Sequence, residues 1–201
     1  MSFEEGTSQT NSGALLDGRL DVAFMLVEPR LPGCRSERLW DETIHVVVPA
    51  SHPIAPLGRV SWDAVRHETF LVMAEAAGPD IEDYLVRQLS GSGARPTISV
   101  QHIGCENLLG MVAQGFGITL ATSSAGGIAY PGLRFIPVDS GEDKFSFSAV
   151  WSATNQNPAL KLLLNMSHER RLKSESKNRG GRSEIVKSED PMVVTKIVGA
   201  P

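Results

Sequence analysis

The sequence has little of several features on which specialised classes of protein depend. Only two of its 201 residues are cysteines, Cys34 and Cys105, which is too few for a disulfide framework. No apolar run approaches the roughly eighteen residues of a membrane-spanning helix, and the first residues lack the basic and apolar regions of an export signal. These absences together lead us to expect a protein of the reducing cytoplasm.

An excess of positive charge is also missing. The 19 lysines and arginines are outnumbered by 23 aspartates and glutamates, so the formal net charge is −4. Binding to a nucleic acid backbone depends on a basic surface, which this composition does not supply for the chain as a whole. Hydrophobic residues make up 41% of the chain, which is enough for the core of one ordinary domain or of two small lobes.

The sequence also lacks the familiar catalytic and metal-binding motifs. It contains no Gly-x-Ser-x-Gly elbow, no Walker loop and no Cys-x-x-Cys pair, and its five histidines do not have the spacing of metal ligands. Cys105 precedes a predicted helix, whose dipole favours a reactive thiolate, so redox sensing is kept as a minor hypothesis. We expect no catalytic residue, no bound metal and no cofactor.

The hydrophobic periodicity alternates between that of strands and that of helices along most of the chain. Strands are predicted at 20–25, 44–48, 70–73, 98–102, 118–121, 133–137 and 145–151. Helices are predicted at 9–17, 79–89, 106–114 and 158–172. Gly18 is suited to end the first helix as a left-handed cap. This alternation, with short glycine-containing turns, indicates an α/β protein with a mainly parallel sheet.

The order of these segments predicts two lobes with a cleft between them. A Pro-rich link at 52–58 leads out of the first lobe, and the strand at 145–151 leads back into it. From Lys173 the sequence has almost nothing apolar until Val193, so it cannot bury enough apolar surface to fold. The predicted segments are lobe one at 1–49 and 141–173, lobe two at 50–140, and a disordered tail at 174–201.

Five phrases of the sequence resemble one known family when they are taken in order. They are EGTS (5–8), LLDGRLDVAF (15–24), ERLWDETIHVVVPASHPIA (37–55), ENLLGMVAQGFGITLATSSA (106–125) and LRFIPV (133–138). Over residues 3–172 the chain resembles the effector-binding domain of LysR-type transcriptional regulators. The resemblance implies two Rossmann-like α/β lobes around a cleft, similar to the type 2 periplasmic-binding-protein fold.

Two features depart from the family pattern. The family's winged helix-turn-helix, its linker helix, and the first strand and helix of its effector domain have no counterpart in this sequence. We therefore expect DNA contact only through a helix-turn-helix absent from this chain, and a family homo-oligomer that is weakened here because the absent helix normally supplies part of that surface. The second departure is Ala121, where the family usually has proline.

The resemblance also implies where a ligand would bind. Thr7 and Ser8 are hydroxyl residues at a predicted helix start, where they either cap the helix or hold a ligand carboxylate together with backbone N–H groups. Two further segments follow strand ends, and by resemblance they line the cleft from lobe one and from lobe two. The candidate ligand-binding residues are Thr7, Ser8, Met25, Val27, Met73, Ala74 and Glu75.

The expected function is binding rather than catalysis. A small organic effector, such as an organic acid, would bind in the cleft of a regulator domain and so control transcription. The alternatives are a cytoplasmic solute-binding or transport-associated protein of the same fold, and an enzyme with an unrecognised site. An upstream helix-turn-helix would favour the regulator domain. A neighbouring permease gene would favour the transport-associated protein, and steady turnover of a bound metabolite would favour the enzyme.

Overall fold

A computed structural model describes residues 2–26, 30–90, 95–127, 130–139, 144–167 and 196–198 of the chain. The helices are α1 (Ser8–Leu16), α2 (Trp62–Val65), α3 (Gly78–Ser90), α4 (Cys105–Ala113) and α5 (158–167). The strands are β1 (Ser2–Glu4), β2 (Ala23–Met25), β3 (Cys34–Pro49), β4 (Thr69–Met73), β5 (Thr97–Gln101), β6 (Thr119–Thr122), β7 (Leu133–Pro137), β8 (Lys144–Ser152) and β9 (Lys196–Val198). Within these ranges no helix has the length and apolar character to cross a membrane.

The chain divides into two units and passes from one to the other at two points. Unit 1 contains Met1–Asp41 and Ser146–Pro201, and unit 2 contains Glu42–Phe145. These two boundaries between the units fall within β3 and within β8, whereas the sequence analysis predicted them at 49/50 and at 140/141. The difference arises because β3 continues through the boundary as one strand, so the Pro-rich link comes only after the chain has entered unit 2.

Unit 1 is built on strands with helices on both faces. Alternate residues of β2 face opposite ways, so Ala23 and Met25 pack with Leu15 of α1, while Phe24 packs with Leu160 of α5. β2 pairs with β8 in antiparallel register, and β8 lies between β2 and β3. Burying each large apolar side chain in this way contributes about 1.5–3 kcal/mol relative to leaving it exposed.

The end of α1 is fixed by a glycine-containing turn. It ends in a Schellman arrangement, in which the Gly18 N–H donates to the Leu15 carbonyl oxygen and the Arg19 N–H donates to that of Ala14. The positive φ of Gly18, 70°, is what this turn requires. The sequence prediction of Gly18 as a helix cap is therefore confirmed.

Unit 2 centres on the buried second half of β3, where Val46, Val47 and Val48 have no exposed surface. β3 pairs with β6 and with β7, both antiparallel, and β4 pairs with β5 in parallel. A parallel bridge between Phe70 and Ile118 joins β4 to the start of β6. Leu109 and Val112 of α4 pack in the same core cluster as Val47.

The expectation of a mainly parallel sheet is wrong for the strand pairs with a described register. The β4–β5 ladder is parallel, whereas β1–β9, β2–β8, β3–β6 and β3–β7 are antiparallel. The physical reason is the pair of strands that cross between the units. β3 runs from unit 1 into unit 2 and β8 returns, so each forms ladders with strands that run against it.

Three residues of the expected disordered tail have a defined partner. Ser2–Glu4 pairs with Lys196–Val198, with Phe3 opposite Ile197. These three residues form a strand where the sequence predicted a disordered tail, and disorder in the rest of the tail stays a prediction. The other tail residues, 174–195 and 199–201, lie outside the described residues.

Candidate functional site

The first candidate site in unit 1 is the N-terminus of α1. Thr7 is the N-cap residue, with extended backbone angles of φ −71° and ψ 160°, and Ser8 is the first helical residue. The Thr7 hydroxyl oxygen accepts the N–H of Thr10 at 3.1 Å, and the Thr10 hydroxyl donates to the Thr7 carbonyl oxygen at 3.0 Å. Of the two alternatives for Thr7, capping is therefore realised in this structure.

The turn before α1 is held by a residue that the sequence did not single out. Asn11 is 5% exposed, and its side-chain amide donates to the Gly6 carbonyl oxygen at 3.2 Å. A β-carbon at position 6 would lie 2.8 Å from the Asn11 side-chain oxygen, so only glycine fits there without displacing Asn11. Asn11 thus positions the backbone that presents Thr7, a role visible only after the turn has folded.

The electrostatics of this helix end suit an anion. The first turn of α1 contains no acidic residue, and within it the Thr10 N–H is capped by the Thr7 hydroxyl. Helix N-termini carry a partial positive charge and bind carboxylates and phosphates readily. Thr7 and Ser8 are both half-buried, so a ligand at this end is partly shielded from water.

The candidates on β2 have different surroundings. Met25 is 1% exposed and packs in the unit 1 core with Leu15 and Val150, so it supports the strand end rather than lining an open surface. Val27 lies outside the described residues. Opposite Met25 in register is Ser148, a fully buried residue whose hydroxyl has no hydrogen-bond partner in the described part of the chain.

In unit 2 the candidates follow β4. Met73, the last residue of that strand, is half-buried against the cluster that contains Leu71 and Leu108. Ala74 continues the ladder briefly, because its N–H donates to the Gln101 carbonyl oxygen at 2.8 Å. These residues stand at the carboxyl end of a parallel strand pair, which is the edge where α/β proteins bind ligands.

The loop after β4 is tightly folded. Glu75 is exposed, so its carboxylate is not a buried charge, and its carbonyl oxygen accepts the Gly78 N–H at 3.0 Å. Ala76 has a φ of 54°, a left-handed conformation that costs a residue with a side chain roughly 1–2 kcal/mol. Strained backbone of this kind often persists at ligand-binding loops.

The two cysteines have unequal surroundings. Cys105, exposed, is the first residue of α4 and lies in unit 2. Cys34, half-buried, lies in unit 1, and burial raises the pKa of its thiol, which disfavours the reactive thiolate. Burial, and after it the charges of Cys105 and Glu106, raise the pKa of the Tyr130 hydroxyl.

His45 and His52 have different surroundings. Burial lowers the pKa of His45, and His52 lies 3.4 Å from the Glu68 carboxylate. Among the residues that the structure describes, no three His, Cys, Asp or Glu side chains are arranged to hold a metal ion.

Comparison with known proteins identifies the relatives of this chain. The family model of the LysR substrate binding domain matches residues 1–171. The chain is 26% identical over 159 residues to the HTH-type transcriptional regulator TtuA of Agrobacterium vitis, covering 76% of this chain and 52% of TtuA. It is 28% identical over 138 residues to the regulator BenM of Acinetobacter baylyi, covering 68% of this chain and 45% of BenM. The chain thus spans about half the length of the curated relatives it matches.

Solved structures show the same fold. Full-length BenM superposes with a TM-score of 0.66 at 22% identity, covering 89% of this chain and 58% of that one. The BenM effector binding domain with its effector benzoate gives 0.66 at 21% identity, with 92% and 82% covered. HinK, a LysR family regulator from Pseudomonas aeruginosa, gives 0.69 at 23% identity, with 84% and 59% covered. The predicted two-lobed α/β fold, similar to type 2 periplasmic binding proteins, is confirmed.

Proposed function

The chain belongs to the LysR substrate binding domain family, and from that premise we propose that it binds a small organic anion at the N-terminus of α1. The observation that carries this proposal is Thr7, an N-cap residue that begins a helix without acidic residues in its first turn. A carboxylate at this position gains hydrogen bonds and helix-end charge without needing a lysine or an arginine.

The remaining candidates take supporting roles in this proposal. Ser8 supplies the second hydroxyl at the helix start, and Met25 holds the neighbouring strand end from the core. Met73, Ala74 and Glu75 lie in unit 2 and, as members of this site, stay candidates from the sequence. Val27 stays a candidate from the sequence alone.

The regulatory role is the second part of the proposal. The two relatives above are named HTH-type transcriptional regulators, and the matched part covers only about half of each. We therefore assign effector binding to the matched domain and DNA contact to a helix-turn-helix outside it. We place this regulation in the cytoplasm. These names favour regulation over solute transport or catalysis. The effector can shift the regulator only by as much as its affinity differs between two conformations.

The test is a ligand screen with two variants of Thr7. Benzoate and a panel of aromatic and short-chain carboxylates are screened by thermal shift, in which a ligand at a hundredfold excess over its Kd stabilises the fold by about 2.7 kcal/mol. Hits are then measured by calorimetry against Thr7→Val and Thr7→Ser. Loss of the hydroxyl in Thr7→Val should weaken binding about fivefold or more, whereas Thr7→Ser keeps it.

Calorimetry is needed because Thr7→Val also removes a helix cap, so its melting temperature falls for a reason unrelated to the ligand. Cys105→Ser, in unit 2, serves as a matched control and should bind like the wild type. Hits that bind Thr7→Val as tightly as the wild type would contradict the proposed site. Hits that depend on Cys105 instead would favour the thiol hypothesis.

A further inference from the structure

We propose that the edge of β1 in unit 1 is a strand-acceptor site for an extended, β-branched peptide, and that Lys196–Val198 is its exchangeable occupant. This role is separate from effector binding. The segment pairs with β1 over three residues and also contacts β2, so it lies beside two strands of unit 1. An extended segment bound in this way gains main-chain hydrogen bonds without a preformed side-chain pocket.

The register explains why this segment fits. Lys196 stands opposite Glu4, and Ile197 stands opposite Phe3. Directly opposed residues of antiparallel strands interact most strongly, and opposite charges in this position favour the register while like charges oppose it.

The rest of the tail sequence does not offer an equivalent occupant. From Lys173 to Pro191 the sequence is dominated by charged, serine and glycine residues, whereas 192–198 reads MVVTKIV. β-Branched residues favour strands, so this run has the highest strand propensity in the C-terminal part of the chain. The acceptor edge therefore selects an apolar, β-branched strand with a single basic residue.

The pairing should be exchangeable because it is short. A three-residue ladder opens easily compared with the core strands of the same unit. A free peptide at high concentration can then compete for the edge.

The pairing itself can be tested by cross-linking in the full chain. Opposed residues of antiparallel strands have Cα atoms about 4.5–5.5 Å apart, which is within the range of a disulfide. In a background with Cys34→Ser and Cys105→Ser, the pair Phe3→Cys and Ile197→Cys should form an intramolecular disulfide under mild oxidation. The control pair Phe3→Cys and Ser183→Cys should form it at least tenfold more slowly, and equal rates would overturn the proposal.

Exchange is tested with a labelled peptide of residues 192–201, MVVTKIVGAP. Full-length Ile197→Pro cannot form the ladder, so its acceptor edge is vacant, and we expect it to bind the peptide at least tenfold more tightly than the wild type does. A peptide carrying Lys196→Glu should bind weakly to that chain and regain affinity when the chain also carries Glu4→Lys. Equal binding of the peptide to wild type and Ile197→Pro would overturn the proposal, as would failure of the charge exchange. The cross-linking experiment tests the pairing even if the Ile197→Pro chain does not fold, because it uses different variants.

Discussion

Gly78 lies directly against the main chain of Met73, because a β-carbon at position 78 would come 1.8 Å from the Met73 carbonyl oxygen. The first residue of α3 therefore packs on the last residue of β4 with no room for a side chain. This contact fixes the course of the loop that carries Ala74 and Glu75. The candidate residues of unit 2 depend on a glycine that contributes no functional group.

Gly78→Ala should lower the free energy of unfolding by about 1–3 kcal/mol, because the backbone of β4 or of α3 must shift to admit the methyl group. The measurement is urea unfolding followed by circular dichroism. Gly110→Ala is the matched control, since Gly110 lies exposed within α4 with no atom near its would-be β-carbon. That change should instead stabilise the chain by about 0.5–1 kcal/mol. A Gly78→Ala chain as stable as the wild type would show that the loop relaxes freely.

Ala76→Gly should act in the opposite direction. Ala76 has a positive φ of 54°, which glycine adopts without the steric cost paid by a β-carbon. We expect a net gain of about 0.5–1 kcal/mol in the free energy of unfolding, after the greater unfolded-state entropy of glycine is subtracted. Ala77→Gly, at a neighbouring residue without a positive φ, should lose stability by a similar amount. Equal effects of the two changes would contradict the assignment of strain to Ala76.

The outlines of unit 2 could be predicted from the sequence because its strands are short runs of apolar residues. Phe70, Leu71 and Val72 are all buried, and the predicted strand at 133–137 coincides with β7. The first part of β3 could not be predicted, because the residues that follow Cys34 are largely polar, some exposed and some half-buried, and leave no clear apolar alternation. Their pairing is imposed by neighbouring strands rather than by their own sequence.

Only part of the candidate site could be predicted from the sequence. A hydroxyl residue before a helix is a local signal, so the capping role of Thr7 could be proposed from the sequence. The contact between Asn11 and Gly6 depends on how the turn folds, and Met25 could equally line a pocket or fill a core. Strand pairing between residues near opposite ends of the chain, as in β1 and β9, has no local signal.

Ser148→Ala should leave the free energy of unfolding unchanged or raise it by up to about 1 kcal/mol. The Ser148 hydroxyl is fully buried and unpaired within the described residues, so its removal relieves a desolvation cost. The matched control is Thr119→Val, because the Thr119 hydroxyl is also buried but donates to the Leu71 carbonyl oxygen at 2.7 Å. That change should cost about 1 kcal/mol. A marked loss of stability in Ser148→Ala would indicate a bonded partner, such as an ordered water.

His45 should make stability depend on pH in the mildly acidic range. Its side chain is half-buried on β3, and its Nδ1 atom lies 3.3 Å from the Thr43 carbonyl oxygen. Burial lowers the pKa of this imidazole, outweighing the Thr43 hydrogen bond and the Glu42 charge, which raise it. Because the folded-state pKa lies below the unfolded value of about 6.5, the unfolded chain takes up the proton first as the pH falls.

The contribution of His45 to the free energy of unfolding is therefore complete above about pH 6.5 and is lost as the pH falls from there toward the folded-state pKa. Urea midpoints at about pH 7.5 and about pH 5.5 measure the effect, with His45→Gln as the comparison because glutamine does not titrate. The wild type should lose more stability than His45→Gln between these two values. An equal loss in both chains would assign the acid sensitivity to other groups, since every remaining titratable residue is common to the two.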